Sequence, residues 1–283
     1  MPVFEGQGVK LYYEDQGAGQ PVVFVHGTVC DCRAWFAQTD NLSSDFRTIA
    51  YSRRYAQPND RQGDMMDSTV QNNSADLEAL IKGLGLGGVH LVGHSYGGFI
   101  AAYFATQHPE LLRSLVLVNA AVFTMLAPGR SAVNSLTFLL KSPSTALSAR
   151  RLINAVSATM KAVDSGDKSA AETIYVKAIE DGRTGLPAKP KGFSGMVAEN
   201  AGTLNETTAP FPQLTAREVK NIKTPTLVVW GDLSAPWDLR ISEMLANSIP
   251  SSESAKIAGA GHFCLMEKPA EVNERMGRFL HGN

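Results

Sequence analysis

The segment Gly93-His94-Ser95-Tyr96-Gly97 constrains this chain most, because an apolar run, Val89-His90-Leu91-Val92, leads into it and the helix-like Gly98-Phe99-Ile100-Ala101-Ala102-Tyr103-Phe104-Ala105 leads out. A serine framed as Gly-x-Ser-x-Gly between strand and helix is a nucleophile elbow, a sharp turn that lifts the hydroxyl above the sheet. The glycines permit the turn, and the first helical amides point toward incoming negative charge. That geometry suits acyl transfer. The plainer alternative is a Gly-rich turn whose serine only caps a helix.

Apolar runs recur along the chain with a strand-helix rhythm. Pro21-Val22-Val23-Phe24-Val25, Arg47-Thr48-Ile49-Ala50-Tyr51, Ser114-Leu115-Val116-Leu117-Val118 and Thr226-Leu227-Val228-Val229-Trp230 read as strands, and residues 69–82 carry apolar side chains at helical spacing. Continuous apolar runs indicate parallel strands covered on both faces. The expected fold is therefore α/β, with a doubly wound, mainly parallel sheet. At the N-terminus, Val9-Lys10-Leu11-Tyr12-Tyr13-Glu14 alternates and a Gly/Pro turn follows, predicting a hairpin into the strand that starts at Pro21. The rhythm breaks between Val118 and Thr226. Residues 132–140, 147–163 and 170–179 are helix-like there, and residues 182–212 are loop-rich.

The 283 residues suffice for one large α/β domain with an insertion. A formal charge of −1 with interspersed signs offers no electrostatic basis for binding nucleic acid or an anionic membrane, leaving a small molecule as the expected partner. No run is long enough to cross a bilayer, and the start Met1-Pro2-Val3-Phe4-Glu5-Gly6 lacks a signal-peptide pattern, so a cytoplasmic protein is expected, as monomer or homodimer. Cys30, Cys32 and Cys264 are an odd set, expected as reduced thiols. No second Cys/His pair completes a zinc site beside Cys30-x-Cys32, and neither metal nor organic cofactor is implied.

Three further landmarks accompany the serine. His26-Gly27-Thr28 ends the strand from Pro21, an acidic segment from Asp232 to Asp238 follows Trp230-Gly231, and Ala258-Gly259-Ala260-Gly261-His262 precedes a last helix. In that order, from about residue 21 to 280, the chain resembles the α/β-hydrolase superfamily. The resemblance implies an eight-stranded-type sheet, with residues 1–120 and 219–283 as core and 121–218 as an inserted helical cap over the pocket. It implies Ser95 as nucleophile, His262 as general base, and the amides of Thr28 and Tyr96 as the oxyanion hole. His26 and His94 are expected to be structural. Of the cap's large apolar residues, Phe138, Leu139, Phe193 and Phe211 among them, some should form its own core and others meet ligand.

The third catalytic residue departs from the family pattern, since the aspartate's usual place, three residues after Gly231, holds Ser234. Asp232 follows that glycine directly and has doubtful reach. A second family location, after the strand that follows the nucleophile helix, holds Asn119, whose amide oxygen could orient the imidazole without supplying charge. Asn119 ranks first and Asp232 second, with Asp238 or no acid as the remaining options. Where relatives carry Asp-x-Arg-Gly-x-Gly, this chain has Tyr51-Ser52-Arg53-Arg54-Tyr55-Ala56-Gln57-Pro58. Arg53 is expected to tie down the loop and Arg54 to be solvated.

The leading expectation is a serine hydrolase acting on an apolar ester, lactone or related acyl compound through an acyl-enzyme at Ser95. Epoxide hydrolases and haloalkane dehalogenases of the superfamily use aspartate at that position. A cofactor-free lyase, oxygenase or cyclase with Ser95 as a hydrogen-bond donor is one alternative, and a ligand-binding or signalling module with a weakened pocket is another.

Overall fold

The apolar runs of the sequence assemble into one eight-stranded sheet in the order β1-β2-β4-β3-β5-β6-β7-β8 in the computed structural model, which describes residues 2–6, 8–59, 67–126 and 142–283. β1 (Val3–Gly6) and β2 (Val9–Gln16) pair antiparallel, and β2 pairs antiparallel with β4 (Arg47–Tyr51). From β4 onward every pairing is parallel, through β3 (Pro21–Val25), β5 (Val89–His94), β6 (Leu112–Val118), β7 (Thr226–Gly231) and β8 (Ser252–Ile257). The expected hairpin from β2 into β3 does not form. β3 is buried along nearly its whole length and uses both edges for parallel neighbours, while the half-exposed, alternating β2 pairs with β1 and β4.

Helices connect the parallel strands: α1 (Phe36–Leu42), α2 (Val70–Gly83) and α3 (Tyr96–Gln107) in the first half. Thr69 caps α2 by accepting from the Asn72 amide at 3.1 Å, and Leu77, Leu80 and Ile81 form its buried stripe. α3 is mostly buried, which explains its apolar composition.

Between β6 and β7 the described residues contribute helices and no strand: α4 (Pro143–Asp164), α5 (Lys168–Ile179) and α6 (Phe193–Asn200), followed by a 3₁₀ run (Ala201–Thr208). The stretch expected as loop, 182–212, thus holds a short helix and the 3₁₀ run. Gly192, at φ +91°, starts that helix, and the prolines flank it. The helix expected over 132–140, with Phe138 and Leu139, lies outside the described residues. The chain closes with α7 (Pro236–Ser248), α8 (Cys264–Glu267) and α9 (Pro269–His281). No described helix is long and apolar enough to cross a membrane.

Parallel pairing brings the C-terminal ends of β3, β5, β6, β7 and β8 to one side of the sheet. Every landmark of the sequence follows one of those ends, the position at which α/β sheets bind ligands.

Candidate active site

Ser95 sits between β5 and α3 at φ +53°, ψ −120°, a backbone conformation that costs a non-glycine residue about 1–3 kcal/mol. Its neighbours make the turn possible. A Cβ at Gly97 would collide with the carbonyl oxygens of Val25 and His26, so only glycine lets α3 start this close to β3. The serine side chain makes no capping bond to α3, which removes the capping alternative. Its Oγ instead lies 3.0 Å from His262 Nε2.

His262 Nδ1 lies 2.7 Å from Asp238 Oδ2, and both side chains are buried. A carboxylate can only accept there, so Nδ1 carries the proton and Nε2 presents its lone pair to the serine hydroxyl. Neither Asn119 nor Asp232 is the partner of the ring. Asp238 sits in the first turn of α7, which Pro236 opens, four residues after the usual acid position at Ser234. Helical side chains tilt toward the N-terminus, so a residue in the first turn of α7 points back toward the strand ends. The signal in the sequence was the proline that starts the helix; the distance across to His262 required the fold.

Asn119, at φ +43°, holds the acid rather than the histidine. Its Nδ2 donates to Asp238 Oδ2 at 2.7 Å and to Ser234 Oγ at 2.9 Å, while its Oδ1 accepts from Cys264 Sγ at 3.1 Å and Gly231 N at 3.4 Å. With both lone pairs of Oδ1 taken by Cys264 and Gly231, the amide has no acceptor left for the imidazole. Ser242, one turn further along α7, donates to Asp238 Oδ1 at 3.4 Å. Asp232 braces the histidine loop from outside: its Oδ1 accepts from Gly259 N at 2.7 Å. Glu267 does the same from inside, accepting from Gly261 N at 2.5 Å.

The loop after β3, residues 26–29, is equally tied. The Arg53 amide donates to His26 Nε2 at 2.9 Å, so the proton of that ring is on Nδ1, 2.8 Å from Gly27 O. Burial first and the Arg53 charge second push the His26 pKa well below its ordinary value, which keeps the ring neutral. Arg53 also donates through Nε to His26 O at 2.9 Å and through Nη2 to Gly27 O at 3.3 Å, and pairs with buried Glu206. It ties down the loop as expected. Arg54 does not face solvent: it is 7% exposed and clasps Asp76 through two bonds of 2.7 and 2.8 Å, with Asp67 alongside. Two adjacent arginines are buried here because each meets its own carboxylate.

His94 packs behind the elbow and donates through Nε2 to His262 O at 3.0 Å. Burial, then the neighbouring His262, lower its pKa to about 3. The cysteines are free and buried, and burial raises each thiol pKa, that of Cys32 to about 11. Cys264 donates to Asn119 and does not line the cavity. Among the described residues no cluster of His, Cys, Asp and Glu could hold a metal ion.

Above Ser95 opens a cavity of about 650 Å³, large enough for a drug-sized ligand. Thr28, Tyr96, Phe123, Leu126, Leu152 and Phe211 are among its walls, so the floor comes from the sheet ends and the roof from the inserted helices. Phe193, expected as a candidate to meet ligand, packs edge-on against Phe263 at 4.9 Å instead, with both rings buried.

A protein-family description of the alpha/beta hydrolase fold matches residues 20–269, and the chain belongs to that family. Epoxide hydrolase 1 of Caenorhabditis elegans is 22% identical over 283 residues, covering 96% of this chain and 68% of that protein. The uncharacterized carboxylesterase nap of Bacillus subtilis is 25% identical over 279 residues, covering 92% and 79%. Among solved structures, a thermophilic esterase from Thermogutta terrifontis superposes with a TM-score of 0.74 at 23% identity, covering 99% of this chain and 96% of that one.

Proposed function

We propose that this hydrolase cleaves an apolar ester, lactone or related acyl substrate through an acyl-enzyme at Ser95. One observation carries the reading: Ser95, which lines a largely apolar cavity, is linked through its Oγ to His262 and on to Asp238 by contacts of 3.0 and 2.7 Å. In this reading His262 Nε2 takes the Ser95 proton as Oγ attacks the carbonyl carbon, and Asp238 stabilises the imidazolium. The amides of Thr28 and Tyr96 receive the oxyanion. The imidazolium then returns its proton to the leaving oxygen, and water activated by the same histidine releases the acid. The inserted helices act as a cap that sets chain length and shape.

Serine at the elbow separates this chain from relatives that attack epoxides with an aspartate. The Asp238 carboxylate beside His262 supports hydrolysis over a non-hydrolytic reaction in the same pocket, because a buried imidazolium needs a charge to stabilise it. The test is labelling with a fluorophosphonate, located by mass spectrometry, together with turnover on an acyl-chain series of chromogenic esters and lactones. Label at Ser95, and loss of turnover on the order of 10⁶ in Ser95→Ala, is the expected result. Normal turnover in Ser95→Ala would overturn nucleophilic catalysis and favour the lyase-like reading.

A further inference from the structure

The peptide between Gly27 and Thr28 is planar, so whatever holds the Gly27 carbonyl also aims the Thr28 N–H, which points the opposite way. That carbonyl accepts from His26 Nδ1 at 2.8 Å and from Arg53 Nη2 at 3.3 Å. The next residue, Val29, is β-branched yet lies at φ +57°, a conformation such residues avoid. Its amide is held by Thr203 Oγ1 at 3.0 Å, and that hydroxyl spends its own proton on Asn200 O at 2.9 Å, leaving a lone pair for Val29.

The groups that hold this loop from above share one origin. In a 3₁₀ helix side chains three apart stand in line, and Asn200, which ends α6 and precedes the 3₁₀ run, is followed at spacings of three by Thr203 and Glu206 within that run. All three are buried. Asn200 receives the Gln57 amide at 2.8 Å and donates to Asp31 Oδ2 at 2.7 Å, Thr203 holds Val29, and Glu206 holds Arg53 through bonds of 2.8 and 2.9 Å. One polar ridge of the inserted segment therefore grips the strained loop on both sides of Thr28.

We propose that Thr203 and Glu206 are positioning residues for the Thr28 oxyanion donor, so that acyl transfer is competent only with this ridge seated on the loop. The inference rests on the serine-hydrolase reading above. Strained backbone at a functional site persists only where its surroundings over-determine it, and here half of those surroundings come from the inserted segment. Loosening the ridge leaves nucleophile and base in place but lets the Thr28 N–H swing away from the developing charge.

The test uses the full chain and the variants Thr203→Val, Thr203→Ser and Glu206→Gln, with active sites titrated by fluorophosphonate. Two inhibitors of equal chain length are compared. A trifluoromethyl ketone gains a bond from Ser95 Oγ to its carbonyl carbon, passes the Ser95 proton to His262 Nε2 and places an oxyanion in the hole; the matching secondary alcohol does none of this. Thr203→Val is expected to lower kcat per titrated site about tenfold or more, with KM within about twofold, since losing a whole donor costs about 10²–10³. Ketone affinity should fall in parallel while alcohol affinity holds, as for an interaction made only in the transition state. Thr203→Ser should restore both. Equal weakening of ketone and alcohol, or an unchanged kcat per site, would overturn the proposal and leave the ridge a purely structural joint. Should Thr203→Val fail to fold, Glu206→Gln is read by the same pair of inhibitors. A wild-type protein that takes no label at Ser95 would overturn the underlying hydrolase reading, a result distinct from labelled enzyme with insensitive variants.

Discussion

Asp238 and Asn119 divide work that a single residue was expected to do. In the proposed mechanism Asp238 stabilises the His262 imidazolium, and Asn119 fixes the carboxylate by donating to the same oxygen that faces Nδ1. Asp238→Asn is expected to lower turnover about 10⁴-fold with little change in KM, because the wrong tautomer of His262 is then favoured. Steady-state kinetics per titrated active site check this. Asp232→Asn, remote from the ring and bonded to Gly259, should leave turnover within a few-fold. Asn119→Asp should slow the enzyme, since it sets a second carboxylate against the first. Like charges raise one another's pKa, so the acid limb of the pH–rate profile should move to higher pH. An accelerated Asn119→Asp enzyme would show that the amide, not Asp238, limits the imidazole.

At the scale of elements, the cavity roof and the packing beneath it are separable. Phe211 is half-buried, stacks near Tyr96, Phe99 and Phe123, and lines the cavity above Ser95. Phe211→Ala should shift the preferred acyl length upward, measured over short and long esters, with a modest loss of melting temperature. Phe193→Ala should do the reverse, costing about 3–5 kcal/mol through a buried void against Phe263 while the relative acyl preference stays unchanged. Denaturant unfolding and the ester series read the two effects independently. A Phe193 variant with a changed profile and wild-type stability would return that ring to the ligand.

For the whole molecule, three buried histidines set the acid limit of stability. His26 and His94 are held neutral chiefly by burial, as is His90, whose pKa falls to about 4. Their folded pKa values lie below the unfolded value near 6.5, so the unfolded chain binds protons that the native state refuses. Their stabilisation is complete above pH 6.5 and drains away as pH falls toward the folded values. Stability should therefore fall as pH drops from about 6.5 toward 4, each ring that stays unprotonated in the native state contributing up to about 1.4 kcal/mol per pH unit. Urea unfolding at half-unit pH steps measures it, and a flat curve over that interval would show that these rings take up protons in the native state.

The features legible without a structure are those encoded by local pattern. β3 and β7 match their apolar runs to within a residue, α2 falls on the apolar periodicity of residues 69–82, Thr28, Ser95 and His262 follow the ends of β3, β5 and β8, and Tyr96 opens α3, placements that depend on neighbours in sequence. Strand order was out of reach, because β2 and β3 are adjacent in sequence while β4, inserted between them, is chosen by edge burial. The acid was out of reach for a related reason. Which of Asn119, Asp232 and Asp238 meets His262 depends on where α7 begins and how far its first turn leans across the sheet, a distance between segments with no counterpart in the order of residues. The partners of Arg53 and Arg54 show the same division: the sequence marks two arginines after a strand, and only the fold brings Glu206 and Asp76 to them, which is what makes burial of their charge affordable.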